Sequence, residues 1–260
     1  LHLRVIRREK INMAREEPLE LKVIGSKRLT ANMHRVTLGG EGMRDFSEDH
    51  EGGYIKFSFP HADGDRPISR AYSVRFQREN EIDVDFALHG DGGPTPRWAV
   101  ACQDGETIMA GGPGPKTLVD NQAGWFLLAG DMTALPTISV NIEQLPPAAT
   151  GYVVIEVIDQ ADIQPLPTPD GLKVKWLVNP EPGEDANLLS DYVRRLSWLN
   201  GQPSGWVACE FNSMRNLRDY LRNEQQLTRD NLYVSSYWKH GSNEDVHRDV
   251  KRMDAKSLDS

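Results

Sequence analysis

Arg70, Tyr72 and Ser73, within the stretch PISRAYSVRF, put a cation, an aromatic ring and a hydroxyl into four consecutive residues. On an extended strand Arg70 and Tyr72 share a face and Ser73 turns to the other. One ligand could use all three: a phosphate against Arg70, a flat or sugar portion against Tyr72, a polar ring edge against Ser73. An edge strand with an exposed Arg and a half-buried Tyr fits the same residues. Downstream, His89-Gly90-Asp91-Gly92-Gly93-Pro94-Thr95-Pro96-Arg97-Trp98-Ala99 sets a glycine loop before a helix start. Glycines admit close backbone approach, Thr95 suits the N-cap, and Pro96 suits the first turn. Such a helix N-terminus binds phosphate, although a plain Gly-rich capping turn reads alike.

Three later stretches carry further chemistry. Ala129-Gly130-Asp131-Met132-Thr133-Ala134-Leu135-Pro136 reads as a strand-to-helix turn where a nucleotide could cross a sheet, or as an ordinary turn with Thr133 as cap. Cys209, in WVACEF, could face a nicotinamide or be a small buried thiol filling a core. Ser236-Tyr237-Trp238-Lys239-His240-Gly241 ends a strand with aromatics beside a cation. That arrangement covers a flat cofactor or meets an anion; a strand end with a snorkelling Lys is the alternative.

The elements that must position these residues fall into two groups. From Leu19 to about Gly114 short strands alternate with turns: LELKVIG, HRVTLGG, YIKFSFP, RAYSVRF, IDVDFAL and ETIMAG. RAYSVRFQ and EIDVDFAL flank Arg78-Glu79-Asn80 and signal a hairpin. Six strands and one short helix predict a small closed antiparallel barrel. After Asn121 apolar strands WFLLAG, YVVIEVI, VKWLV, WVACEF and LYVSSY alternate with helical patterns. This predicts a doubly wound parallel sheet, whose ligands sit beyond the strands' carboxyl ends where the order reverses. The boundary is expected near residues 115–124, giving an extension over 1–17, a barrel over 18–120 and an α/β unit over 121–260. NEDVHRDVKRMDAKSL reads as a terminal polar helix.

Composition narrows the class. The chain is 38% hydrophobic and 26% charged, the balance of a globular protein. No apolar run reaches membrane-spanning length, and LHLRVIRREKINM lacks the apolar core of a secretory signal. A net charge of −8 argues against nucleic-acid or anionic-membrane binding, so an anionic ligand must meet a local basic patch. Cys102 and Cys209, far apart, exclude a four-Cys iron–sulfur or zinc site, suit a reducing cytoplasm, and leave no protein metal centre expected.

In their order, these motifs resemble the siderophore-interacting protein family, NAD(P)H-dependent ferric-siderophore reductases of the ferredoxin–NADP reductase superfamily. The likeness runs from about Val36 to Arg252. RAYS resembles the superfamily's Arg-x-Tyr-Ser/Thr flavin motif, HGDGGPTPRWA the family's His-Gly-x-x-Gly-Pro-Ala-Ser-Arg-Trp-Ala, and AGDMTALPTI its Gly-Asp-x-Thr-Ala-Leu-Pro-Ala. SYWKHGSNEDVHRDVKR resembles its Gly-Tyr-Trp ending. Pro96 stands where the family has Ser or Thr, and Cys209 where it has Gly.

The resemblance implies a non-covalent FAD held in the barrel and NADH or NADPH on the sheet. Arg70 would take the pyrophosphate, Ala71 and Tyr72 the flavin and ribityl side, and Ser73 the reactive ring edge. Phe86, Leu88, His89, Gly92, Gly93, Pro94 and Thr95 would continue along phosphates and adenosine, with Asp131, Thr133, Ala134 and Trp238 on the sheet side. Catalysis would be flavin-centred, with no catalytic side chain: hydride in from NAD(P)H, single electrons out to iron(III), which oxygen chelators hold far better than iron(II). The expected substrate is an anionic ferric siderophore of catecholate type, met by Lys56, Lys239, Lys116 and Arg248. Each of these cations could equally be a solvated surface charge. A flavin reductase for another acceptor, or a non-catalytic iron-chelate carrier, would be the competing functions, and no obligate protein partner is expected.

Overall fold

The computed structural model describes residues 18–59, 67–89, 93–242 and 244–257. The expected N-terminal extension and Gly92 lie outside the described residues. Six strands, β1 (Leu19–Thr30), β2 (Met33–Gly39), β3 (Tyr54–Phe59), β4 (Ile68–Arg78), β5 (Glu81–Ala87) and β6 (Thr107–Gly114), close into a barrel in the order β1-β2-β5-β4-β3-β6. Every pairing is antiparallel. Alternation puts Val74, Ile82, Val84 and Phe86 into the barrel core with Phe57 and Leu38. The outward positions hold an ionic lattice, in which Arg35 Nε donates to Asp85 Oδ1 at 2.6 Å and Arg78 Nη2 to Asp83 Oδ1 at 2.8 Å.

Helix α1 (Pro94–Ala101) follows β5. Its N-cap is Gly93, at φ 41°, not Thr95. Pro94 explains the difference: it has no N–H to lose and a fixed φ, so it takes the first helical position and pushes the cap back to glycine.

The second unit is a five-stranded sheet of β7 (Trp125–Gly130), β8 (Thr150–Val157), β9 (Gly171–Val178), β10 (Pro203–Glu210) and β11 (Leu232–Trp238). All pairings are parallel, in the order β11-β10-β7-β8-β9. Helices α2 (Leu135–Glu143), α3 (Leu188–Arg194) and α4 (Phe211–Asp219) cover its faces, and α5 (Glu244–Ser257) follows β11. Burial on both faces explains why WFLLAG and WVACEF read as continuous apolar runs. The two-domain class read from periodicity is the observed one. Helix α3 is shorter than its pattern, because Trp198 turns back to pack its ring 4.7 Å from Trp125.

The order reverses on either side of β7, so a crevice opens beyond its carboxyl end. Gly130 is needed there: a Cβ would lie 2.5 Å from Ala208 O and 2.8 Å from Ala134 Cβ.

The two units are interlocked. Asp162, fully buried after β8, accepts from Thr30 Oγ1 at 2.7 Å, Asn32 N at 2.8 Å and Asn32 Nδ2 at 2.8 Å. Burial works against its charge, but these donors outweigh it and hold the carboxyl below its ordinary range. Arg75 of β4 forms a two-pronged ion pair with Glu143 of α2. The connecting segment docks on the sheet through Trp206 Nε1, which donates to Thr117 O at 2.9 Å. Among the described residues no helix is long and apolar enough to cross a membrane.

Candidate cofactor cleft and sheet edge

A cleft of about 630 Å³ lies between the barrel and the sheet, within the size range of cofactor sites. From β4 it receives Arg70, Ala71, Tyr72 and Ser73, and from α1 and its cap Gly93, Pro94, Thr95 and Pro96. His89, Thr133 and Trp238 line it from the remaining sides.

Tyr72 packs its ring 4.6 Å from Phe86 and 6.0 Å from Phe57, so the barrel core fixes its plane. Arg70 shares that face, held by a 3.0 Å hydrogen bond from Nη1 to Ser69 O. Ser73 turns the other way, where its Oγ accepts from Thr137 Oγ1 of α2 at 2.8 Å. The hydroxyl expected at the reactive edge therefore also bridges the domains. Thr95 is 1% exposed, and its Oγ1 has no hydrogen-bond partner among the described residues. An orphaned hydroxyl behind Gly93, where a Cβ would meet nothing within 4 Å, is a cradle with a polar group waiting in it. With Arg70 across the cleft, these residues fit the pyrophosphate of a dinucleotide flavin.

Phe86 and Leu88 do not line the cleft. Phe86 is fully buried as the floor beneath Tyr72, and Leu88 N donates to Asn32 O at 2.9 Å. Ala134 is fully buried beneath the turn that carries Thr133. Lys116 also lies apart: its ammonium is 2.8 Å from Asp49 Oδ1 and from Asp49 O. Lys56, Lys239 and Arg248 do reach the cleft, and Lys251 joins them. Lys56 Nζ sits 5.5 Å from the Tyr54 ring centroid, and Lys239 Nζ 5.1 Å from that of Phe211. Among the described residues the lining thus holds Lys56, Arg70, Lys239, Arg248 and Lys251, and no Asp or Glu.

At the sheet edge Asp131 is a hub that sequence reasoning did not foresee. Its Oδ1 accepts from Thr133 N at 2.9 Å and Thr133 Oγ1 at 2.5 Å, which closes the turn into α2. Its Oδ2 accepts from Glu210 N and Trp238 Nε1, both at 2.8 Å. Three strand ends, β7, β10 and β11, are tied by one carboxylate. Trp238 is held against His89, ring centroids 4.3 Å apart. Burial pushes the His89 imidazole below its ordinary value, with His240 adding to that and Asp131 opposing it. Glu156, at the end of β8, is driven the other way, up to about 7, chiefly by burial and then by Asp131. Cys209 is fully buried in the sheet core, its thiol raised well above the ordinary value by burial, and it does not reach the cleft.

Tyr54, Tyr233, Ser235 and Lys251 were also missed. Tyr233, Ser235 and Tyr237 alternate on β11, and Lys251 lies one helical turn beyond His247 on α5. Both periodicities were available once strand and helix were assigned. His247 is buried with Nε2 2.6 Å from Ser236 Oγ, and burial, with Lys251 and Lys239, lowers its pKa to about 4.

A barrel with a phosphate cradle, joined through a cleft to a doubly wound sheet, fits an FAD-dependent oxidoreductase driven by a nicotinamide nucleotide. The models for siderophore-interacting protein and for the siderophore-interacting FAD-binding domain match residues 123–241 and residues 22–67 and 61–117. This chain belongs to the siderophore-interacting protein family. It is 35% identical to the ferric vibriobactin reductase ViuB of Vibrio cholerae over 91% of this chain and 94% of that one. It is 26% identical to the NADPH-dependent ferric-chelate reductase of Escherichia coli, over 84% and 92% of the two chains. The siderophore-interacting protein SipS from Aeromonas hydrophila superposes with a TM-score of 0.83 at 29% identity, over 94% and 99% of the two chains.

Proposed function

We propose that the protein reduces the iron of a ferric siderophore with electrons from NAD(P)H. FAD, when bound, supplies the link between a two-electron hydride donor and a one-electron metal acceptor. The chain's own residues bind and orient. Arg70 and Thr95 hold the pyrophosphate, Tyr72 carries the ring system on a plane set by Phe86, and Ser73 meets the ring edge. Trp238, braced by Asp131 and His89, walls the side from which the nicotinamide approaches.

The observation that carries the substrate class is the charge of the cleft. An acidic chain of net charge −8 gathers five cations there and, among the described residues, no carboxylate. Arg70 serves the flavin phosphates. Lys56 and Lys239, with Arg248 and Lys251 beside them, are in excess of that need and offset an anionic chelate, of which a ferric triscatecholate is the strongest case. We place the reaction in the cytoplasm, where NAD(P)H is supplied and two free thiols stay reduced.

The test is anaerobic turnover of the FAD-loaded protein with NADH or NADPH and a panel of ferric siderophores, with iron(II) captured by a chelator. Replacing Lys56 and Lys239 together by Ala should raise the KM for an anionic triscatecholate about tenfold or more. It should also flatten the salt dependence, since attraction across an open cleft is screened over about 8 Å at physiological ionic strength. A neutral or cationic ferric chelate should be reduced as before. Equal losses on anionic and cationic chelates would place the damage in the flavin site and remove the patch from substrate binding.

A further inference from the structure

We infer that the sheet edge selects NADH and rejects NADPH, through the acidic residues beyond the carboxyl ends of β8 and β9. This rests on the reading of the protein as an NAD(P)H-driven reductase. In a doubly wound sheet the dinucleotide lies across the strand ends where the order reverses. Its adenosine ribose is met beyond the strand that follows the first strand–helix unit, by an acidic side chain for NAD or by Arg for the 2′-phosphate of NADP. Here that first unit is β7 with α2, and the strand that follows is β8.

Beyond β7 and β8 lies a crevice whose lining includes Asp131, Thr133, Glu156, Ile158, Pro182 and Trp238. Glu156 is 5% exposed and commits Oε1 to Asn179 Nδ2 at 2.9 Å. The segments that leave the strands at this crevice, 158–163 after β8 and 179–187 after β9, contain Asp159, Glu181, Glu184 and Asp185, besides the interdomain Asp162, and neither Lys nor Arg. Glu181 and Glu184 are exposed. The cations on β9 itself sit back along the strand, Lys173 and Lys175 lying 5.9 and 5.8 Å from the ring centroids of Tyr152 and Tyr192.

A 2′-phosphate adds about −1.5 to −2 charge near neutral pH. Held in this rim it would lose water and gain repulsion, and the two segments themselves supply no guanidinium or ammonium to offset either. The ribose diol of NADH adds no charge and donates hydrogen bonds that carboxylates accept. The contrast with the cleft is sharp: the described cleft lining carries five cations, and the segments at the carboxyl ends of β8 and β9 carry acids.

The experiment is calorimetric titration of the FAD-loaded full chain with ADP-ribose and with 2′-phospho-ADP-ribose, the adenosine halves of the two donors. ADP-ribose should bind at least tenfold more tightly. The double variant Glu181→Arg and Glu184→Arg, on exposed positions, should narrow that ratio at least fivefold by strengthening the 2′-phosphate ligand. Equal or tighter binding of 2′-phospho-ADP-ribose by the unmodified chain overturns the selectivity. Failure of both ligands to bind overturns the placement of the adenosine. An unchanged ratio in the double variant overturns the assignment to these residues. Steady-state turnover with saturating NADH and NADPH, measured in parallel, reports separately on the reductase reading, which fails only if neither donor reduces the protein.

Discussion

Replacing Asp131 by Ala strips the acceptor from four hydrogen bonds at once. Glu210 N–H is buried and has no water to turn to, which costs roughly 1–3 kcal/mol. Losing the acceptor that caps the turn at Thr133 costs about 1 kcal/mol. The Trp238 indole is half-buried and can recover part of its bond from water, so its share is smaller, about 0.5 kcal/mol. Against this, one negative charge leaves the neighbourhood of Glu156, which Asp131 helps to hold up at about 7. The net expectation is a loss of about 3 kcal/mol in urea unfolding at pH 8, where the lost repulsion is largest, and somewhat more at pH 5. A local signature should accompany it. The Trp238 Nε1 proton, which now faces a carboxylate, should move upfield in NMR spectra, and near-ultraviolet dichroism from the His89–Trp238 contact should weaken. A loss below about 0.5 kcal/mol with the indole signal unmoved would refute Asp131 as the hub of the strand ends.

Arg70→Ala should weaken FAD binding about ten- to a hundredfold, because a charge-assisted bond to pyrophosphate contributes roughly 1.5–3 kcal/mol; full flavin retention in the purified variant would remove the phosphate role. Glu156→Gln should stabilise the protein above neutral pH. The folded protein holds this proton up to about 7, against an ordinary value of 4.5, so it binds more protons than the unfolded chain between those values and loses stability as pH rises through them. The variant, which keeps an acceptor for Asn179, should gain up to about 3 kcal/mol at pH 8 and almost nothing at pH 4. The same pH dependence of the urea midpoint in both proteins would sink the assignment.

The alternation of IDVDFAL and the unbroken apolar run of WFLLAG reveal the fold because each reports its own burial, one face or two. RAYS likewise announces its faces: Arg70 and Tyr72 share one side of the strand, and Ser73 turns toward α2 at the border of the cleft. The start of α1 was misread by two residues, since Thr95 is a better cap than Gly93 by side chain and only Pro94 decides otherwise. What the linear chain could not display are bonds between distant segments. Nothing local ties Asp131 to Trp238, or Thr137 to Ser73, and nothing near Lys116 announces its pairing with Asp49. Lys56 and Lys116 look alike as isolated lysines, and only the packed structure separates them.

Hydride and electron transfer both depend on how the barrel stands against the sheet, and that relation rests on few groups. Asp162 takes three donors from the turn between β1 and β2, Arg75 grips Glu143, and Thr137 donates to Ser73 beside the cleft itself. The first two lie outside the cleft, so they fix the domains without occupying space the cofactor needs. The third is different. Ser73 reads the ring edge and receives α2, so a ligand that draws on its hydroxyl pulls on the contact between the domains. Tyr237, whose hydroxyl burial raises far above its ordinary value, hydrogen-bonds with the same Thr137 and Ser73. A wall of neutral hydroxyls at this junction binds the two domains without adding charge. The cations of the cleft lining stay on its other walls, at Lys56, Arg70, Lys239, Arg248 and Lys251.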